Sequence, residues 1–202
     1  YMTIDDEILI FHALRYSDDQ LIVEGLARNY GRVSFVVRIS HAPRAKVRHV
    51  IFQPMAVLEV QWEEKPRAKL MRPIAARVSQ PWSSLHTSPI KAAITLFLAE
   101  FLLQVCRHEQ SGELFFDYLL HSLTWLDTAE EGFANFHLLF LMRLAQFLGI
   151  APNTSDTGLP FFDLMAAEFV SRAPAHAYYI YGDEARAFEQ LLRMNFSTMH
   201  LF

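Results

Sequence analysis

The chain has 202 residues, of which 52% are apolar, and a formal net charge of −4. That length holds one large domain or two small ones, and that apolar content excludes a disordered chain. The single cysteine, Cys106, excludes an intrachain disulfide and a multi-cysteine zinc site, and a reducing, cytoplasmic setting is the simplest expectation.

The first half reads as strands. ILIFHALRY comes first, followed by the turn SDDQ. LIVEGLARNYG then places Leu21, Val23, Gly25 and Ala27 on one face and turns at Gly31. RVSFVVRI alternates Val33, Phe35, Val37 and Ile39 against Arg32, Ser34, Val36 and Arg38, the period of a half-buried strand. PMAVLEVQW and KLMRPIAARV follow, separated by the turn EEKPRA. Five short strands in this span predict a small barrel. A five-stranded OB-fold fits that count, and so does an SH3-like barrel.

The second half reads as helices. Thr87-Ser88-Pro89 predicts an N-cap with proline in the first turn, opening a helix that runs to His108. This run carries Lys91 and Glu100, which makes it a buried helix rather than a membrane span. Ser111 is the expected cap of a second helix through Leu126. Glu130 and Glu131 are expected at the start of a third, which ends at Gly149. Residues 151–177 contain three prolines and neither period, so a long loop is expected there. Asp183 is the expected cap of the last helix. The class is therefore α+β, with a five-stranded barrel over residues 1–79 and an all-α helical domain over 80–202. No segment reads as a signal peptide, and the opening Tyr1 implies residues upstream of it.

Charge divides the same way. Residues 1–78 hold 12 Lys and Arg against 9 Asp and Glu, whereas residues 79–202 hold 6 against 13. The basic excess concentrates in RISHAPRAKVRHV, residues 38–50, which has Arg38, Arg44, Lys46 and Arg48 and no acid. A solvated loop is the plain reading. The functional reading is a cationic track for a phosphate backbone, joined by Arg15, Arg32, Lys69 and Arg72, with Tyr16 and Tyr30 as base-stacking candidates. No recognition helix or zinc finger is present to read base edges.

RYSDDQLIVEGLARNYGRVSFVVRI, PRAKVRHVIFQPMAVLEV, LFLAEFLLQV and SLTWLDTAEEGFANFHLLFLMRLAQFLG, in this order, resemble the RecO family of DNA repair proteins. The resemblance implies an N-terminal OB-fold, nucleic-acid-binding, and a helical domain. It implies a bacterial, cytoplasmic, nucleoid-associated recombination mediator. Such a protein binds single- and double-stranded DNA, anneals complementary strands and assists RecA loading, with RecR, the C-terminal tail of SSB and, in some organisms, RecF as partners. It needs no cofactor and no membrane. Many relatives carry a four-cysteine-type zinc module after the third helix. The corresponding stretch here has no cysteine, so no metal is expected, and Phe161, Phe162, Phe169 and Tyr178-Tyr179 are expected to pack in its place. The family's glycine in the basic loop is replaced by Ser40 or His41, and the family continues beyond the last helix.

Two other readings compete. One is a protein-interaction adaptor for SSB or RecR with weak DNA affinity, in which Arg107, Arg143, Arg172, Arg186 and Arg193 are the cations available for an acidic tail. The other is an enzyme built on Asp163, Glu168, His176, Asp183 and Glu184, or on His121, His137 and Asp127. No nucleophile elbow, phosphate loop or metalloprotease motif supports it, so the chain is read as non-enzymatic.

Overall fold

The computed structural model describes residues 2–65, 68–106 and 112–201. Strand β1 (Met2–Ser17) runs well beyond the ILIFHALRY segment because it pairs twice. Met2 to Leu9 lies antiparallel to β4 (Val57–Glu64), and Ile8 to Ser17 lies antiparallel to β2 (Gln20–Ala27). Thr3, Asp5 and Glu7 occupy one side of the first half, which hides the strand from a search for apolar alternation.

β3 (Gly31–Arg38) joins β2, and β5 (Pro73–Gln80) joins β4, giving the sheet order β3-β2-β1-β4-β5. The sheet is not closed. A single parallel bridge, Phe35 to Met71, connects β3 to the residues ahead of β5. There the Val36 N–H donates to the Met71 carbonyl, and the Met71 N–H donates to the Ser34 carbonyl, both at 2.9 Å. A five-stranded antiparallel sheet curled around one core with an open seam agrees with the OB-fold. Ile8, Ile10, Val23, Val33, Phe35, Val37, Leu58, Val60 and Trp62 fill that core. The Phe35 and Tyr30 rings meet Trp62 edge-on at 5.4 and 5.5 Å.

The bend in β1 has a local cause. Register shifts between Ile10 and His12, where β2 supplies Gly25. A Cβ at Gly25 would lie 2.6 Å from the Leu9 carbonyl oxygen, so only glycine lets the two backbones approach this closely.

The chain forms two compact units, Tyr1–Thr128 and Ala129–Phe202. The first adds two helices to the barrel, α1 (Pro89–Val105) and α2 (Glu113–Thr128). Ser88 precedes α1 at the N-cap position but makes no side-chain capping bond, and Pro89 opens the helix as predicted. Cys106 stands at the C-cap of α1. His108 and the predicted cap Ser111 lie outside the described residues. α1 packs on β1, and Leu9 and Phe11 of β1 are buried although they stand outside the barrel core. Cys106 is buried at the end of α1.

Asp127, near the end of α2, ties that helix to the segment entering α1. Its buried carboxylate accepts the N–H groups of Ser83, Ser84 and Leu85 at 3.0, 2.8 and 2.8 Å, and the Ser83 hydroxyl at 2.9 Å. Lys91 adds bonds to the Asp127 carbonyl and the Ser84 hydroxyl. Burial pushes the Asp127 carboxyl up, but the donors from Ser83, Ser84 and Leu85 outweigh it and hold the group below the ordinary carboxyl value.

The second unit corrects three expectations. α3 (Phe136–Phe147) begins after Asn135, so Glu130 and Glu131 precede the helix rather than open it. Gly149, at φ 69°, stands just past its end as predicted. Residues 151–177 are not a long loop. Together with the residues that follow, they build a three-stranded sheet of β6 (Phe161–Asp163), β7 (Glu168–Val170) and β8 (Tyr179–Tyr181), in the order β7-β6-β8. Strands of three residues are too short to show a period of two. α4 (Asp183–Arg193) is preceded by Gly182 at φ 60°. Asp183 is therefore the first helical residue rather than the cap, and its carboxylate takes Arg186. No helix of the described residues is long and apolar enough to cross a membrane.

Gly25→Ala forces the β1–β2 backbones apart and should destabilise the protein by about 1–3 kcal/mol in denaturant unfolding. Gly112→Ala, whose added carbon meets nothing within 4 Å, should leave stability close to that of the parent. Because the folded-state pKa of Asp127 is lowered, its contribution is complete above the unfolded carboxyl value of about 3.9 and is lost as pH falls through the folded value. Asp127→Asn should therefore lower unfolding free energy by about 1–3 kcal/mol at pH 7. The gap from the parent should shrink at acid pH, as unfolding curves at pH 7 and pH 3 would reveal.

Candidate nucleic-acid interface

The basic segment after β3 is fastened to the barrel. The Ala76 N–H of β5 donates to the Lys46 carbonyl at 3.1 Å, and His49 Nδ1 lies 3.1 Å from the Ser40 carbonyl. The His41 and His49 rings meet edge-on at 5.5 Å. Burial along the segment alternates. Arg44, Lys46, Arg48 and Val50 are exposed, whereas Ala45, Val47, His49 and Ile51 are half-buried. Val47 and Ile51 pack against the barrel core. The segment is a strap with an apolar underside and a cationic upper side, laid against the free edge of β5. The alternation was already present in RAKVRHVI, but scattered among turn residues it reads as a loop.

Further cations gather along the seam. Arg38 ends β3 and is exposed, opposite Gln20 of β2. Lys69 and Arg72 flank the Met71 bridge, ahead of β5 rather than within it, and both are exposed. Among the described residues, Arg38, Arg44, Lys46, Arg48, Lys69 and Arg72 have no carboxylate partner within salt-bridge distance. The β1–β2 turn lies at the Arg38 end of the barrel. Arg15 is exposed there, and its guanidinium donates to the Ser17 and Asp18 carbonyls. Tyr16 is 71% exposed. Leu14, Ile22 and Val36 form one cross-strand rung beside it, and Leu14 is largely exposed.

Two of the predicted residues stand apart from this group. Arg32 does not project freely into solvent. Its side chain is 16% exposed, pairs with Glu24 at 3.1 Å and lies over the Phe11 ring at 5.4 Å. Six residues of strand separate it from Arg38, about 20 Å of extended chain. Tyr30 turns its ring to Trp62, and its hydroxyl donates to Glu64 at 2.9 Å, so it packs the rim of the core. Burial, then Glu64, raises its pKa.

The barrel face next to the strap is acidic. On the outer face of β1, β4 and β5, Asp5 stands opposite Gln61 and Glu7 directly opposite Glu59. Like charges so placed repel. Arg28 and Ser79 bind Glu7, while Arg77 binds Glu59. Arg28 also reaches Asp117 of α2 and lies over the Phe116 ring at 4.5 Å. Asp5, Glu59, Gln61, Ala75 and Arg77 line an open depression of about 380 Å³ with Lys46 on its rim.

The residues considered for an enzyme or adaptor have local roles. Asp127 holds the Ser83–Leu85 backbone. His176 meets Asp163 at 3.2 Å, while the same carboxylate accepts the N–H groups of Met165 and Ala166. The Ala166 bond, then that of Met165 and the neighbouring His176, keep the Asp163 carboxyl low against desolvation. No group of three His, Cys, Asp or Glu gathers to hold a metal ion among the described residues. In the cysteine-free stretch after α3, the Phe162 ring meets Phe169 edge-on at 4.9 Å and Phe188 at 4.5 Å. Phe162 and Phe169 are buried there, whereas Tyr178 is exposed. Arg186 and Arg193 pair with Asp183 and Glu189 on their own helix. Arg143 lines a small groove with Leu139, Met142, Leu191 and Met194. Arg107 lies outside the described residues.

Comparison with known proteins gives consistent matches. Residues 2–82 match the family described as Recombination protein O N terminal, and residues 86–202 match Recombination protein O C terminal. The DNA repair protein RecO of Bacteroides fragilis is 44% identical over 196 residues, covering 96% of this chain and 81% of that protein. That of Phocaeicola vulgatus is 41% identical over the same coverage. That of Flavobacterium psychrophilum is 30% identical over 199 residues, 98% of this chain and 82% of its own.

Proposed function

The chain belongs to the RecO family of DNA repair proteins, and from that premise we propose that it is a non-enzymatic recombination mediator binding DNA along the cationic seam of its barrel. In this reading, residues 1–79 are the nucleic-acid-binding part and residues 80–202 the helical part. The observation that carries it is the group Arg38, Arg44, Lys46, Arg48, Lys69 and Arg72, exposed around one seam without carboxylate partners among the described residues. Their mutual repulsion is relieved when phosphates take the place of salt ions, and counterion release drives the association. The exposed Tyr16 and the Leu14–Ile22–Val36 rung supply an apolar surface beside Arg15 and Arg38 on which unpaired bases rest.

Strand annealing follows from the same physics. Two single strands repel through their phosphates, and a shared cationic surface screens that repulsion while leaving base edges free to pair. No bond is made or broken, so no catalytic group is required. The finer roles belong to this proposal: assisting RecA loading on SSB-coated single strands together with RecR, contact with the SSB tail, and RecF dependence.

The test is fluorescence anisotropy with a labelled single strand across a salt series. With about four to six phosphates neutralised, the log–log slope should be about −3 to −4, from roughly −0.7 per contact. Arg44→Ala, Lys46→Ala and Arg48→Ala combined should make that slope shallower by about two and weaken binding at least tenfold. A salt-independent affinity, or unchanged binding by the triple variant, overturns the proposal. Single variants separate the two ends of β3. Arg38→Gln should weaken single-strand binding severalfold with little change in stability. Arg32→Gln should lower stability by about 1 kcal/mol through loss of Glu24 and Phe11, with little change in affinity.

A further inference from the structure

The outer face of the β6–β8 sheet is unlike the rest of its unit. Register sets two rungs on it, Val170–Phe161–Tyr181 and Glu168–Asp163–Tyr179. The opposite face turns Phe162, Phe169 and Ile180 toward Phe188 of α4, and Phe162 and Phe169 are buried. On the outer face three rings stand together. Phe161 lies 5.7 Å from Tyr179 and 6.1 Å from Tyr181, and the two tyrosines are 6.2 Å apart. Tyr181 is 63% exposed and Glu168 is exposed. Neither is needed to close the small core beneath the sheet.

Charge decides what such a face takes. Residues 129–202 contain Arg143, Arg172, Arg186 and Arg193 against eight carboxylates, and Arg186 and Arg193 are already paired. A nucleic acid would bring phosphates against the exposed Glu168. A cationic side chain finds three rings and the exposed Glu168 carboxylate on one sheet surface, while Asp163, 13% exposed, is already engaged by His176 and the Met165 and Ala166 N–H groups.

We infer that this face docks an arginine- or lysine-bearing segment of a partner protein, the cation lying over Tyr181 and Phe161 and its charge met by the exposed Glu168. Asp163 accepts the Met165 and Ala166 N–H groups and pairs with His176, which fixes the β6–β7 connection and leaves Glu168 as the free carboxylate of the face. The inference is independent of the DNA seam, which occupies the other unit.

The test uses the full chain and a fluorescein-labelled peptide of about ten alternating arginines and glycines, followed by anisotropy at physiological salt. Tyr181→Phe, which keeps the ring, should bind as the parent does. Tyr181→Leu, which keeps apolar bulk but removes the ring, should bind about threefold to tenfold more weakly. Glu168→Gln should weaken binding, and Glu130→Gln, distant in sequence and outside the sheet, should not. Thermal unfolding of each variant checks that the fold persists. Parent-like binding by Tyr181→Leu overturns the inference, as does an equal loss in Glu130→Gln, which would mean diffuse adsorption to an acidic protein. Loss of single-strand binding in Tyr181→Leu, with peptide binding kept, overturns it in favour of nucleic acid. Failure of the seam is read separately, in the strap variants.

Discussion

Two backbone hydrogen bonds from Met71 hold the barrel at the place where its ladder is missing. A sheet of this order has two free edges, on β3 and β5, and each exposes N–H and C=O groups that would pair with any passing strand. Met71 ties the first edge to the chain approaching β5. The strap, through the Lys46 carbonyl, covers the second. Both coverings end in cations, which also deter edge-to-edge association. Edge protection accounts for the presence of some lysine and arginine there. It does not account for six cations that, among the described residues, form no ion pair, since an ion pair would shield an edge as well.

The barrel's two sides therefore differ in kind. Around the acidic side, Glu7 and Glu59 face one another and are made tolerable by Arg28, Arg77 and Ser79. Those arginines are spent on internal balance and add little outward field. Among the described residues, the seam cations have no such ion pairs. On the proposed function, a polyanion would be drawn to the unpaired cations and repelled by the neighbouring carboxylates, which would orient it before contact. Salt weakens this orientation over a distance of about 8–10 Å. On the proposed function, the exposed apolar rung next to Tyr16 would give bases a place to rest that a purely charged surface lacks.

How much of this was legible in the sequence depended on length and on what each residue alternates with. RVSFVVRI has eight residues in strict alternation, and its inward set, Val33, Phe35 and Val37, is the buried set. β1 was half legible, because its first half carries Asp5, Asp6 and Glu7 where apolar patterning would be sought. Asp6 sits inward yet is satisfied by the Asn29 and Tyr30 N–H groups, a tertiary arrangement that no local pattern encodes. The small sheet was illegible because each strand spans three residues and is held by register with strands elsewhere. Among the proposed site residues, those of the strap and the seam are exposed, with Lys69 and Arg72 ahead of β5 rather than within the strand expected for them. Arg32 was placed on the right face of its strand, but its neighbour Glu24 on β2 could be known only from pairing.

Formal charge is for this reason a poor guide to the field a partner meets. Asp6 and Asp127 are buried carboxylates surrounded by backbone donors, and they enter the net charge while contributing little at the surface. Arg28, Arg32 and Arg77 are counted among the 12 cations of residues 1–78 but are matched by acids within reach. Removing such groups from both sides leaves the barrel's unmatched positive charge concentrated at the seam. The strap is what makes that concentration stable. Its alternate residues Val47 and Ile51 pack against the core, so three like charges can be held side by side without the segment lifting away. The apolar underside opposes the repulsion above it, and a bound phosphate chain removes the repulsion itself.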